Sequence, residues 1–343
     1  MRRHVLGRLV AAAAAAVLIL PGGCTPTSGG NLPPGPVKPL PPGQGVLLRY
    51  KLAKDQVLRY DTTFKVSSEG FEKTSSTDSV RAVIYKHCLG PDRKHPGFWK
   101  LNIQRREVSR LKKAVDRHGT RLPPITVPRT VSPSVSGTCP YDPETNRNYY
   151  PVTDRGMFGS SKKYPYHWLW YDSALYLLPV LPPGNVVKGT NWTLQIPVFT
   201  SGGYIARLGQ FRRGNDFLLN FSGSVNKVYS RGDRILAEIS WSVSGTFDTM
   251  AYHERFPRAY HDRNRLIHKV TGNGRAVFNA TDGVLLSQNG QVAITIAERV
   301  KITERKDGKI VGHNWHESVN RHIMHYRSRM LSDGEPDPKP AGM

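Results

Sequence analysis

The sequence predicts a mainly β protein: a long antiparallel meander forming a curved sheet or partly open barrel, with one or two short helices. Three features carry this expectation. Apolar residues recur with a period of two, glycine-bearing turn signals separate the runs, and strands do not alternate with helices as a βαβ fold requires.

The period is clearest in VLRYDTTFKVSS, where Tyr60, Thr62, Phe64 and Val66 share one phase. DFLLNFSGSVNKVYSRGDRILAEISWSVSGTF reads as two strands joined at Arg231-Gly232-Asp233. RAVFNATDGVLLSQNGQVAITIAERVKITERKDGKIVG repeats the pattern, with turns expected at Asp282-Gly283, Asn289-Gly290 and Asp307-Gly308. Trp192, Leu194 and Ile196 alternate onto one face after Lys188-Gly189, which assigns Trp192 to the core. Two segments leave helix and strand open. RREVSRLKKAVDRHG places Val108, Leu111 and Val115 at helical spacing, with Gly119 as a stop, yet it also continues the strand begun by Trp99, Leu101 and Ile103. WHESVNRHIMHY has helical spacing too, but the turn at Asp307-Gly308 favours a returning strand.

The ends have a different texture. Arg2, Arg3 and Arg8 precede twelve apolar residues, Leu9 to Leu20, and then Gly22, Gly23 and Cys24. Twelve residues do not span a bilayer as a helix, which needs about 20. A basic start, a short apolar run and small residues are instead the layout of an export signal. Gly-Gly-Cys matches the end of bacterial lipoprotein signals and makes Cys24 the expected lipid-attachment residue. Pro21 stands where that pattern usually has Leu, and an ordinary signal cut nearby is the competing reading. From Thr25 to Gly45 there are seven prolines and five glycines, which reads as a semi-rigid tether. The expected organisation is therefore a signal over 1–24, a tether over 25–45, a β-rich body over 46–331 and a disordered tail over 332–343.

If Cys24 carries lipid, Cys88 and Cys139 remain. An exported protein allows them to form a disulfide closing a loop of about 50 residues, and two unpaired buried thiols are the alternative.

Three segments, LLRYKLAKDQVLRY, LPPGNVVKGTNW and GRAVFNATDGVLLSQ, occur in this order. They resemble a family of signal-bearing, β-rich bacterial cell-envelope proteins. That family has an L-R-Y-K opening, a proline stretch leading to a Gly-x-x-Trp strand start, and a late Phe-x-x-x-x-Gly hairpin. The resemblance implies an antiparallel envelope protein and supplies no activity and no catalytic residue. The chain departs from it in its basicity and in an insertion over about 139–176.

That insertion holds ten of the 32 Phe, Trp and Tyr residues. Lys162 and Lys163 sit beside Tyr164, Tyr166, Trp168 and Trp170, a candidate ligand surface in which aromatics stack and cations attract acidic groups. Packing of the two tryptophans against the sheet competes with that reading.

Lys and Arg number 49 and Asp and Glu 26, giving +23, or +20 without the three signal arginines. Such a charge favours anionic partners. For an exported protein these are anionic lipid headgroups or acidic envelope polymers rather than nucleic acid. The sequence has no G-x-S-x-G, Walker A or H-E-x-x-H pattern, and its S-x-x-K matches lack supporting motifs. His313, His316, His322 and His325 cluster without the cysteine or carboxylates of a metal site. No cofactor is expected. The expectation is a non-enzymatic, membrane-anchored envelope lipoprotein binding an anionic or amphiphilic ligand. An envelope hydrolase or metal-dependent enzyme and a structural subunit of an envelope complex are the rivals.

Overall fold

A computed structural model describes residues 32–70, 75–93, 96–115, 120–125, 130–131, 141–157, 179–197, 218–248, 264–306 and 309–339. All regular elements among them are strands. The first half contains β1 (Val37–Pro39), β2 (Val46–Leu47), β3 (Val57–Glu69), β4 (Ser75–Pro91), β5 (Phe98–Val115), β6 (Arg121–Ile125) and β7 (Thr130–Val131). Next come β8 (Tyr141–Asp142), β9 (Arg147–Asn148), β10 (Tyr150–Thr153), β11 (Asn185–Val186) and β12 (Asn191–Pro197). The second half contains β13 (Leu218–Arg231), β14 (Arg234–Asp248), β15 (Asn264–Asn279), β16 (Val284–Lys306) and β17 (Lys309–Met330).

Thirteen strands form one antiparallel sheet in the order β1-β13-β14-β15-β16-β17-β3-β4-β5-β10. β12 also pairs with β13, and β6 and β7 with β5. Two meanders thus meet where the last long strand pairs with the first, from Arg321↔Glu69 to Met330↔Tyr60. Among the described residues the two edges do not pair with each other, so the sheet is not closed into a barrel.

Alternation decides which face is buried. Leu219, Phe221, Ile239, Trp241, Val243, Val292 and Met324 point into the core. Their neighbours Asn220, Ser222, Ser242, Ser244, Asn273 and Arg275 point outward and are exposed. A strand crossing a bilayer as part of a barrel has its apolar side outward, against lipid. Here the apolar side faces the protein's own interior.

One cross-sheet row shows how the core is filled. Trp192 lies opposite Gly223, Gly223 opposite Trp241, Trp241 opposite Gly274, Gly274 opposite Gly290, and Gly290 opposite Tyr326. The glycines are floors for the rings. A Cβ on Gly223 would lie 2.2 Å from the Trp192 indole, and one on Gly274 2.5 Å from that of Trp241. Phe221 stacks on Trp241 with centroids 6.4 Å apart. This explains why Asn289-Gly290 is not the expected turn. Gly290 lies inside β16, where its missing side chain leaves room for Trp241 and Tyr326.

No helix occurs among the described residues. The candidate helix over 105–119 is strand to Val115: β5 pairs with β4 along its length, and Leu111, which a helical stripe would bury, is 39% exposed. Residues 315–326 belong to β17, as the returning-strand reading expected.

The body extends beyond its expected limits. Within the expected tether, β1 pairs with the edge of β13, and Leu32 packs against a cluster of Tyr229, Leu236, Val284 and Leu286. Residues 332–339, expected to be disordered, lie against the outer face. Asp337 bridges Arg59 at 3.1 Å and Arg106 at 2.6 Å and accepts a hydrogen bond from the Tyr85 hydroxyl. Glu335 pairs with Arg329 at 2.8 Å. Arginines on neighbouring strands give the tail's carboxylates a place to dock, a local arrangement that composition does not display.

Gly274→Ala tests the ring-over-glycine packing. Its Cβ would also meet the Asn289 carbonyl oxygen at 2.4 Å, which a rotamer change does not relieve. Urea unfolding is expected to show a loss of about 2–3 kcal/mol, and an unchanged midpoint would contradict the packing.

Candidate functional site

One end of the core is covered by two extended segments, 46–52 and 179–187, joined through the short β2–β11 pair. Each residue of Leu48-Arg49-Tyr50-Lys51 holds this cover in a different way. Leu48 is fully buried. Arg49 donates to the carbonyls of Pro182, at 2.8 Å, and Pro183, and its Nε lies 3.2 Å from Asp154. Tyr50 meets Phe278 edge-on at 5.1 Å, and its backbone N–H donates to the Asp154 carbonyl. Lys51 closes the β15–β16 hairpin, with its N–H donating to the Gly283 carbonyl and its Nζ to that of Thr281 at 2.7 Å. Gly283 has φ +68°, and a Cβ there would lie 2.4 Å from the Lys51 nitrogen. Trp192 Nε1 donates to the Val180 carbonyl at 2.8 Å. The three motifs that lie far apart in sequence therefore converge on one corner of the molecule.

Under this cover lies a group that sequence reading missed. Ala82, Ile84, Lys86 and Cys88 alternate on β4, so Lys86 occupies an apolar phase and is only 4% exposed. Its cross-strand neighbours are Leu58 and Ile103. Its ammonium lies 4.5 Å from the centroid of the Tyr60 ring, and no carboxylate among the described residues pairs with it. Burial lowers the Lys86 pKa from 10.5 to about 7, because an ammonium out of water is costly. Tyr60 and Tyr50 are also buried, and burial raises both phenol pKa values, so both stay neutral donors. The Tyr50 hydroxyl is 3.4 Å from the Pro179 carbonyl. The signal in the sequence was RAVIYKHC, a strand whose inward phase is interrupted by one lysine.

Farther along the same face, Thr62 and Ser328 share a hydrogen bond of 2.9 Å. Trp241 Nε1, the Tyr326 hydroxyl and Gln288 Oε1 are buried there without a hydrogen-bond partner. The inner face is thus apolar but carries isolated polar atoms able to meet a polar group.

Several expected site residues fall elsewhere. Cys24, Cys139 and the aromatic and basic set Lys162, Lys163, Tyr164, Tyr166, Trp168 and Trp170 lie outside the described residues. The described residues on either side of that set are Met157, which packs against the core, and Pro179, whose carbonyl lies beside Tyr50. Cys88 carries a free, buried thiol among the described residues, and burial raises its pKa; its expected disulfide partner, Cys139, lies outside them. His322 donates to or accepts from Ser68 at 2.9 Å, whereas His325 is exposed on the other face, since residues three apart on a strand diverge. Among the described residues no group of three or more His, Cys, Asp or Glu side chains is placed to hold a metal.

No protein-family model matches the sequence, and no curated protein matches it. Among solved structures the chain is similar, over 81% of its length and 99% of theirs, to OccK5 (OpdH) of Pseudomonas aeruginosa, at 7% identity and a TM-score of 0.20. OccK7 (OpdD) of the same organism matches at 8% identity and 0.21, over 80% of this chain and 99% of that one. OmpT, an outer membrane protein of Vibrio cholerae, matches at 9% and 0.16, over 81% and 100%. TM-scores this low do not define a shared fold.

The buried lysine has a measurable signature. Below about pH 7 the folded and unfolded chains both hold its proton, and the burial penalty is fully present. Between about 7 and 10.5 the unfolded chain holds a proton the folded chain has released, so stability rises with pH. Lys86→Met is expected to be more stable than wild type at pH 6.5 by about 2 kcal/mol, replacing a buried charge by a chain of similar length. Its advantage should fall by up to about 1.4 kcal/mol per pH unit above pH 7 in urea unfolding and be gone by about pH 9. A difference independent of pH would contradict the burial.

Proposed function

We infer that this is an exported, lipid-anchored protein of the bacterial cell envelope that binds an anionic or amphiphilic ligand without catalysis. The observation that carries the binding part is the Lys86 amine, set in an apolar interior against the Tyr60 ring with no carboxylate among the described residues to pair with it. A net charge of +20 after signal removal draws anions toward the molecule. Anchoring rests on the basic, apolar and Gly-Gly-Cys succession ending at Cys24, and envelope residence also on the resemblance of the three converging motifs.

Anchoring on Cys24 constrains the geometry. Because the described body already begins at Leu32, a spacer of residues 25–31 spans at most about 25 Å fully extended. The body would stand close to the lipid surface rather than far out on a long leash. Acyl chains contribute about 0.8 kcal/mol per buried CH₂, enough for stable attachment when more than one chain is present.

Metabolic labelling with an alkyne fatty acid, in a bacterium that processes lipoproteins, tests the anchor. Wild type is expected to carry label and sediment with membranes, and Cys24→Ser to lose the label. An unlabelled wild-type protein would end the lipoprotein reading.

A further inference from the structure

We propose that Lys86, on the apolar inner face of the sheet, is the headgroup anchor of a site for an anionic amphiphile, a carboxylate or phosphate monoester on an alkyl chain. The inference rests on the ligand-binding reading above and names its chemistry and its anchor residue.

The argument starts from what Lys86 lacks. It sits on the inward phase of β4 between Ile84 and Cys88, flanked across the sheet by Leu58 and Ile103. Lysines usually carry their ammonium to water along a flexible stem. This one instead lies over the Tyr60 ring at 4.5 Å, with no carboxylate among the described residues to balance it. Burial of an ammonium without a counter-ion is unfavourable, and an apolar residue of similar length would fill the same space at lower cost. A group present against stability is the expected mark of a binding site, and burial lowers its affinity for protons until an anion arrives.

The surroundings select the class of anion. One ammonium balances one negative charge, and lysine acts as a compact point charge with three donors. The buried Tyr60 lies beside it as a neutral phenol. Leu101, Ile103 and Val152 continue the same inner face in apolar material, which suits an alkyl chain and not a hydrated inorganic ion.

The test uses the full mature chain, delipidated in detergent, with binding read by native mass spectrometry and calorimetry. The probes are oleate, oleyl phosphate, oleyl alcohol and inorganic phosphate, against wild type and Lys86→Met, with circular dichroism confirming that the variant is folded. Wild type should bind oleate or oleyl phosphate at least tenfold more tightly than oleyl alcohol, and the tighter of the two anions identifies the headgroup. Lys86→Met should bind all three oleyl probes alike, at the alcohol's affinity, and inorganic phosphate should displace none of them. Equal binding of oleyl alcohol and both anions by wild type overturns the Lys86 anchor while leaving amphiphile binding intact. Displacement of oleate by inorganic phosphate at equal concentration overturns the amphiphile. Failure of every probe to bind removes this inference and the binding reading together.

Discussion

The structure depends on the docking of Leu48-Arg49-Tyr50-Lys51 across one end of the sheet. Without it the core would open to water where β3, β4, β15 and β16 end. The contact is built from complementary parts. Leu48 and Tyr50 fill apolar space, and Arg49 and Lys51 satisfy backbone carbonyls that a non-hydrogen-bonded crossing would orphan. Arg49 is well suited to this because its planar fork reaches the carbonyls of Pro182 and Pro183 and the Asp154 carboxylate together. The two prolines have no N–H to extend a strand ladder, and their carbonyls accept from Arg49 instead.

Closing that corner creates the environment of Lys86. Water exclusion by Leu58, Ile103 and Tyr60 makes the ammonium expensive, and the same exclusion would strengthen any charge interaction formed there. Stability and recognition therefore oppose each other at this position. The outer face solves its electrostatics in another way, in water. Arg59, Arg106 and Arg329 meet Asp337 and Glu335 of the chain's own C-terminal segment, partly exposed pairs that together hold the tail against the sheet.

The sheet carries two kinds of glycine. Gly232 and Gly283 stand in hairpin loops with positive φ, which is why Arg231-Gly232-Asp233 and Asp282-Gly283 read correctly as turns. Gly223, Gly274 and Gly290 stand inside strands, where the absence of a Cβ lets indole and phenol rings lie on the backbone. Asn289-Gly290 carries the same dipeptide signal as a turn and yet serves packing. The local sequence does not separate these roles, because the deciding partner, Trp241, lies on a strand two away.

Much of the fold was legible. Alternation in β3 and β12 named inward residues, including Tyr60, Phe64 and Trp192, because a strand with one wet face must repeat every two residues. Strand rather than helix over 105–115 was left open, since Val108, Leu111 and Val115 satisfy both periods and only pairing with β4 breaks the tie. The three separated motifs were visible, but their meeting was not, because contacts between residues more than 100 positions apart leave no local trace. Lys86 shows the same limit at the site. Its inward phase could be read from Ala82, Ile84 and Cys88, whereas its burial came from Leu58, Ile103 and Tyr60 on neighbouring strands. The sequence by itself determined which side of each strand is apolar, and the tertiary structure alone decided what each apolar side encloses, because burial is a property of the assembled neighbours.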